Sequence, residues 1–442
     1  MNLKTINKKS TTTTESAFEK SYIEWVVALA VMFATSFVVM ESYVKLFSPN
    51  LVIVTGIARN LILLLMLLYQ LKHFGLKIRW DYFIFFLGYS LYILLYITQF
   101  SVYRLEDLVK GPTSVFNFFY RTAQVIEYIL CAQTIIQHLN VTKYLMVSVV
   151  FATLPSLLFI QYVGIETLQI FGIDDNDDAI SSLAMGYSNG QLLVLSVFFF
   201  FRLFKNKIAS IVFSTVVITA GIYIIFAVGE RGPVLWTMVN IAICLLLISK
   251  NVVKYVVLAS IILILMWLNI DSIIDGISVY SPRTAERIEM TVKEGDTNGR
   301  FDTSNAEGST YIIGWNMFTS SPIYGSYFRL VSNGHFRGHY PHNLFIEMLM
   351  TMGLLGFIPF MCILWSGWKR VRKTMKGNYT DSQLACVVLF LAAFLQLMTT
   401  TTLVFNSAFW CLFAVMCSLD LNFSRTNRPT RVKSLPIIKQ YE

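Results

Sequence analysis

Residues 207–228, KIASIVFSTVVITAGIYIIFAV, are followed by Gly229-Glu230-Arg231-Gly232-Pro233 and then by a second apolar run that ends at Ile248. Each run matches the roughly 20 apolar residues that a helix needs to cross a hydrocarbon layer. With so short a turn between them, the pair reads as a helical hairpin standing in a membrane. Glycine on both sides of Glu230-Arg231 lets the backbone turn sharply, and Pro233 suits the first turn of the next helix.

The same pattern extends in both directions. Of 442 residues, 55% are apolar and only 14% charged, and the mean hydropathy is +0.61. Soluble domains carry about 25% charged residues, so an ordinary soluble enzyme is excluded, as is a disordered chain. Six cysteines in a chain of this length do not make a disulfide scaffold. Apolar windows begin near Trp25, Leu51, Tyr82, Thr113, Tyr144, Gly186, Ile208, Pro233, Val253, Asn343, Gln383 and Leu403. The expected fold is therefore an all-α integral membrane protein with about 12 transmembrane helices. Cys131, Cys244, Cys362, Cys386, Cys411 and Cys417 all fall within those windows and read as packing residues.

Charge sets the expected orientation. Alternate connections hold Lys72, Lys77 and Arg79; Lys143; Arg202, Lys205 and Lys207; Lys250 and Lys254; and the run Lys369, Arg370, Arg372, Lys373, Lys376. Both tails join that side, so most of the 35 Lys and Arg residues gather there, while Asp174, Asp175, Asp177 and Asp178 lie opposite. The positive-inside rule puts both termini in the cytoplasm, and the net charge of +9 reads as topology rather than nucleic-acid affinity. Residues 1–24 are a polar tail with no apolar core or cleavage site, read as cytoplasmic rather than as a signal peptide. Residues 25–270 hold spans one to nine, 271–341 a large outer loop, 342–420 spans ten to twelve, and 421–442 a basic cytoplasmic tail. The loop is long and polar but carries Tyr311, Trp315, Phe318, Tyr324, Tyr327 and Phe328, which predicts a folded cap.

Ionisable residues inside a membrane are costly and mark functional sites by default. Four stand out: Arg59, Arg121, Glu127 and Glu347. Arg59 and Arg121 lie about 12 Å below the outer ends of their helices at 1.5 Å per residue, and Glu347 lies about one turn below its boundary. Glu127 is deeper, on another face of its helix from Arg121. They read either as structural helix–helix pairs or as a cavity for an anionic lipid head group. Arg231, held at the membrane face by its glycine turn, offers a guanidinium fork that matches phosphate oxygens; the alternative is a pair with Glu230 or a lipid phosphate. His335, His339 and His342 fall at H-x3-H-x2-H spacing before the tenth span. Neutral-range titration suits a proton acceptor; the alternatives are a substrate-orienting histidine and a plain interface histidine. Zinc is disfavoured because HExxH is absent and Arg337 intervenes.

These residues resemble a known family. His342-Asn343, nine residues, then Gly353-Leu354-Leu355-Gly356 is similar to the H-N-x9-G-x-x-G pattern of the O-antigen ligase and polymerase superfamily. Arg231 to Leu235 resembles its R-x3-L element, Pro322-Ile323-Tyr324-Gly325 its Pro-x-x-Gly, and Tyr187-Ser188-Asn189 its Asn-containing span start. The chain departs at Glu230, where serine is common, and at Tyr327, where a second glycine is usual. An arginine expected before Pro322 is absent, leaving the second phosphate-binding Arg among Arg300, Arg329 and Arg337.

The resemblance implies a GT-C-like membrane glycosyltransferase of the bacterial inner membrane with a periplasmic site and no metal or other cofactor. The donor would be an undecaprenyl-diphosphate-linked oligosaccharide, with its diphosphate against Arg231, Arg59 or Arg121 and a loop Arg. His342 would be the base, and His339, Asn343 and Glu347 further substrate contacts. Partners would be the glycan acceptor, the lipid bilayer and a chain-length regulator, with no nucleic acid. The expected activity is an O-antigen or capsular polysaccharide polymerase; the alternatives are a ligase that moves glycan onto lipid A-core and, from another class, a twelve-span transporter or flippase.

Overall fold

A computed structural model of the chain describes residues 16–76, 78–99, 115–164, 182–249, 253, 257, 267–279, 281–293, 310–326, 341–399, 403 and 406–420. Among the described residues every regular element is helical. In order these are α1 (Ala17–Phe47), α2 (Pro49–His73), α3 (Trp80–Gln99) and α4 (Val115–His138). Next, α5 (Val141–Ser148) passes through a π-helical turn, Val149–Thr153, into α6 (Leu154–Val163). Then come α7 (Ser182–Phe198), α8 (Lys207–Ala227), α9 (Arg231–Ile248), α10 (Ile270–Ser278), α11 (Pro282–Lys293) and α12 (Thr310–Ser320). The last three are α13 (Leu344–Lys376), α14 (Asp381–Gln396) and α15 (Ser407–Cys417).

Among the described residues, four helices are long and apolar enough to cross a membrane: Asn50–His73, Val141–Val163, Lys207–Ala227 and Leu344–Lys376. Five further apolar helices are shorter. Most helices begin within a few residues of the windows read from the sequence. α1 begins earlier than Trp25 because Ser16 caps it, its hydroxyl accepting from the Glu19 amide. The ninth window, from Val253, lies mostly outside the described residues, as do both tails.

Asparagine sets several helix starts. Asn140, Asn206, Asn343 and Asn406 each accept first-turn amides of α5, α8, α13 and α15, and Thr380 with Gln383 forms a capping box on α14. Each such cap stabilises its helix by about 1 kcal/mol. Between helices the interior is aromatic: Tyr82, Phe86, Phe360, Phe390, Phe409, Trp410 and Phe413 are buried, and the Tyr82 hydroxyl donates to the Trp410 carbonyl at 2.5 Å.

At one end of the bundle, ion pairs tie together the connections that carry the cation runs. Glu19 at the start of α1 meets Lys72 at 2.7 Å and His73 at 3.0 Å; Glu24 meets Lys143 at 3.0 Å. Arg370 lies 3.3 Å from Asp420, which also faces Arg79, and Arg202 faces Asp381. Lys72, then His73, hold the Glu19 carboxyl below the ordinary carboxylate range. A depressed acid stabilises the fold above its unfolded pKa and loses that contribution as pH falls through the folded value. The Tm difference between the parent and Glu19→Gln should therefore be present at pH 7 and shrink as the solution is acidified through the carboxylate range.

Where described, the region read as an outer loop is mostly helical, with a non-helical turn at 321–326. α10 and α11 pack on each other, burying Ile274, Thr284 and Ala285, and the Ser281 hydroxyl donates to the Phe226 carbonyl at 2.7 Å. α12 packs along α13.

Candidate functional site

Pro341-His342-Asn343 forms the mouth of α13. Asn343 turns the chain into the helix, its side-chain oxygen accepting from the Phe345 and Ile346 amides at 3.0 and 3.2 Å. His342, just before the cap, has φ 51° and is the only non-glycine residue with positive φ among those described. The left-handed region costs an L-residue about 1–2 kcal/mol and persists only where the surroundings hold it. Here α12 holds it. A Cβ at Gly314 would stand 2.8 Å from Pro341 and 3.0 Å from Ile346, so the two segments touch, and the Tyr311 hydroxyl donates to the His342 carbonyl at 3.4 Å.

One turn inward, Glu347 is buried. Its two oxygens accept from the Leu403 amide at 2.9 and 3.0 Å, which ties the mouth of α13 to the segment leading into α15. Glu347→Ala should leave that buried amide unsatisfied, at a cost of about 1–3 kcal/mol. Thermal denaturation in detergent should show a clear loss of Tm for Glu347→Ala and a smaller one for Glu347→Gln, which keeps an acceptor.

Ten residues beyond the cap, α13 breaks. Gly353 has φ 57° and ψ −158°, and the segment Pro322–Ser326 lies across the gap. The Leu354 amide donates to the Pro322 carbonyl at 2.8 Å, the Leu355 amide to Ile323 at 3.1 Å, and the Ser326 amide to Met350 at 2.6 Å. Gly325, at φ 80°, meets Gly353 backbone to backbone. The Pro-x-x-Gly and the first Gly of G-x-x-G, separate motifs in the sequence, are thus two halves of one junction. Gly353 serves this junction rather than helix–helix packing; Gly356 lies against the Met352 side chain.

Arg59 and Arg121 are brought together. Both line an open cavity of about 670 Å³ with walls from α1, α2, α4, α7, α14 and the start of α15. Arg59 donates to the Tyr120 hydroxyl at 3.0 Å and sits 5.3 Å from the centre of its ring. With its amide oxygen turned toward the guanidinium, Gln124 accepts from Arg59 at 2.7 and 2.9 Å. Glu41 lines the same cavity and acts electrostatically on Arg121, as does Arg59. Phe33, Val38, Ile53 and Ile57 supply apolar wall. The partners Glu41, Tyr120 and Gln124 were not singled out from sequence; Tyr120 and Gln124 stand one turn apart at the depth of Arg121, which is the signal available.

Among the described residues the cavity takes no lining from α13, so His342, Asn343 and Glu347 stand outside it. Two routes connect them. Asn406 and Ser407 line the cavity while Leu403, three residues earlier, bonds Glu347; three residues span at most about 11 Å. Tyr89, in electrostatic range of Glu347, also lines a water-sized cavity of about 10 Å³ with Arg121. Glu127, on α4, feels the charge of Arg59 and does not line the large cavity.

The remaining positions are less complete. Arg231 is the first residue of α9; its side chain lies outside what is described. Gly229 makes the turn at φ 71°, and Pro233 packs on Gly186, whose Cβ would approach it to 2.6 Å. Asn189, from the Asn-containing motif, bridges α6 and α7: it accepts from Thr153 at 2.8 Å and donates to Ser156 at 3.1 Å. Arg300, Arg329, Arg337, His335 and His339 lie outside the described residues. No family model matches the chain, and no curated protein matches it.

Proposed function

We propose that this chain is a twelve-span, GT-C-like polysaccharide polymerase of the bacterial inner membrane, joining undecaprenyl-diphosphate-linked repeat units at the periplasmic face. The observation that carries the reading is that Arg59 and Arg121 line one large cavity whose other walls combine apolar side chains such as Phe33, Val38, Ile53 and Ile57 with Glu41 and the amides of Asn60, Gln124, Gln191, Gln396 and Asn406. A lipid diphosphate needs that combination: fixed cations for the head and apolar surface for the adjoining chain. In the reaction, an acceptor hydroxyl attacks the anomeric carbon of the donor sugar, the bond from that carbon to the diphosphate oxygen breaks, and the lipid diphosphate leaves with the electron pair. Guanidinium groups stabilise the charge that grows on the leaving oxygen. His342 takes the hydroxyl proton. The strained backbone at His342 supports this role, since such strain clusters where a side chain must be aimed.

Purified protein in proteoliposomes, given only lipid-linked repeat units, should lengthen them. A strict requirement for lipid A-core would replace polymerase by ligase, and substrate counterflow without glycan product would replace both by transport. Arg59→Ala and Arg121→Ala should each weaken binding of undecaprenyl diphosphate by about tenfold to a hundredfold, corresponding to about 1.5–3 kcal/mol for a charge-assisted hydrogen bond. Unchanged affinity, measured by titration in nanodiscs, would remove the cavity from the site.

A further inference from the structure

α12 and α13 run side by side in the same direction. Tyr311 and Gly314 stand level with Pro341, His342 and Ile346, whereas Pro322 and Ile323 stand level with Leu354 and Leu355. Eleven residues of helix separate Asn343 from Leu354, or about 16 Å at 1.5 Å per residue. The chain therefore travels inward along α12, turns at Pro322-Ile323, and is already rising at Ser326, which bonds Met350. A second ruler agrees: the Tyr92 hydroxyl donates to the Tyr324 carbonyl, and Tyr92 lies seven residues, about 10 Å, before the end of α3 at Gln99.

The geometry points to Thr310–Ser326 being a re-entrant segment that dips into the outer leaflet beside α13 and contacts lipid acyl chains, rather than part of a cap lying wholly above the membrane. Non-helical backbone is tolerated at membrane depth only where its polar groups are satisfied by protein. The carbonyls at the turn of this segment meet that condition. The carbonyls of Pro322, Ile323 and Tyr324 each accept a hydrogen bond from α13 or α3. The Gly325 and Ser326 amides donate to Ser321 and Met350. The Thr319, Ser320 and Ser326 hydroxyls donate to the α12 carbonyls of Asn316, Met317 and Met317. Trp315, Pro322, Ile323 and Tyr324 are exposed on the segment, beside the smaller polar Asn316, Thr319 and Ser320, and the large apolar side chains continue into exposed Leu354, Leu355 and Ile358 on α13. That continuity with a helix long enough to cross a membrane identifies the occupant of the surface as lipid. The inference holds whether or not glycosyl transfer is the activity.

The test uses the full chain without substitution, in vesicles of phosphatidylethanolamine and phosphatidylglycerol doped with a phosphatidylcholine bearing a diazirine on its acyl chain. After photolysis, adducts are mapped by peptide mass spectrometry. Adducts on Trp315, Ile323 and Tyr324 together with Leu355 and Ile358 are expected. Labelling of Leu355 and Ile358 with none in 310–326 would overturn the inference, as would labelling of that segment only by a water-soluble diazirine or no labelling of α13 at all.

Discussion

Gly353→Ala should leave almost no folded protein. A Cβ there would stand 2.5 Å from the Ile323 carbonyl oxygen and 2.6 Å from that of Pro322, and both are backbone atoms that cannot rotate away. The conformation itself, φ 57° and ψ −158°, is one that only glycine adopts freely, and forcing another residue into it costs about 1–3 kcal/mol. Relief requires the segment to withdraw, which breaks hydrogen bonds from Leu354 and Leu355 and leaves those amides and the facing carbonyls unsatisfied, at about 1–3 kcal/mol for each buried group. The total exceeds about 4 kcal/mol, a large share of the 5–15 kcal/mol by which folded proteins exceed unfolded ones. Gly325→Ala should fail equally, because the two glycines meet each other. Gly88→Ala is the control: a Cβ there meets nothing within 4 Å, so yield and Tm should match the parent. Monodisperse yield and scanning fluorimetry in detergent read all three. A Gly353→Ala chain melting within about 2 °C of the parent would mean that the junction does not form.

That junction also marks the limit of what the amino-acid sequence discloses. Helix positions are legible because a membrane span needs about 20 apolar residues, and asparagine caps sharpen the starts of α5, α8, α13 and α15. A strap held to a broken helix by backbone bonds leaves no side-chain signature. The glycines at 325 and 353 are visible singly, yet nothing in the sequence says that they touch. Arg59 and Arg121 are conspicuous because charge inside a membrane is rare; the sequence leaves open whether they form helix–helix pairs or line a cavity, and the packing of α2 and α4 puts both in one cavity that Glu347 does not line. Glu347 is conspicuous for the same reason, but its partner is the amide of Leu403, which has no residue type to betray it. His342 is legible through its spacing to the other histidines, whereas its left-handed backbone comes from contact between Pro341 and Gly314 across two helices.

The sharpest test of the proposed chemistry follows from that backbone. His342→Gly removes the imidazole while relieving the strain at φ 51°, since glycine occupies the left-handed region without penalty. Stability should hold or rise slightly. Asn343 still caps α13 in the glycine variant, and the guanidinium groups of Arg59 and Arg121 line a cavity to which His342 contributes nothing, so binding of undecaprenyl diphosphate should be unchanged. Turnover of lipid-linked repeat units should fall by about 10²–10⁴-fold, the usual worth of a positioned general base. Added imidazole should restore part of that loss by occupying the space vacated beside the reacting hydroxyl. A structural role for His342 predicts the opposite pattern: altered Tm, altered donor affinity and no response to imidazole. Turnover within threefold of the parent at equal donor binding would remove His342 as the base and with it the proton-transfer step proposed for this chain.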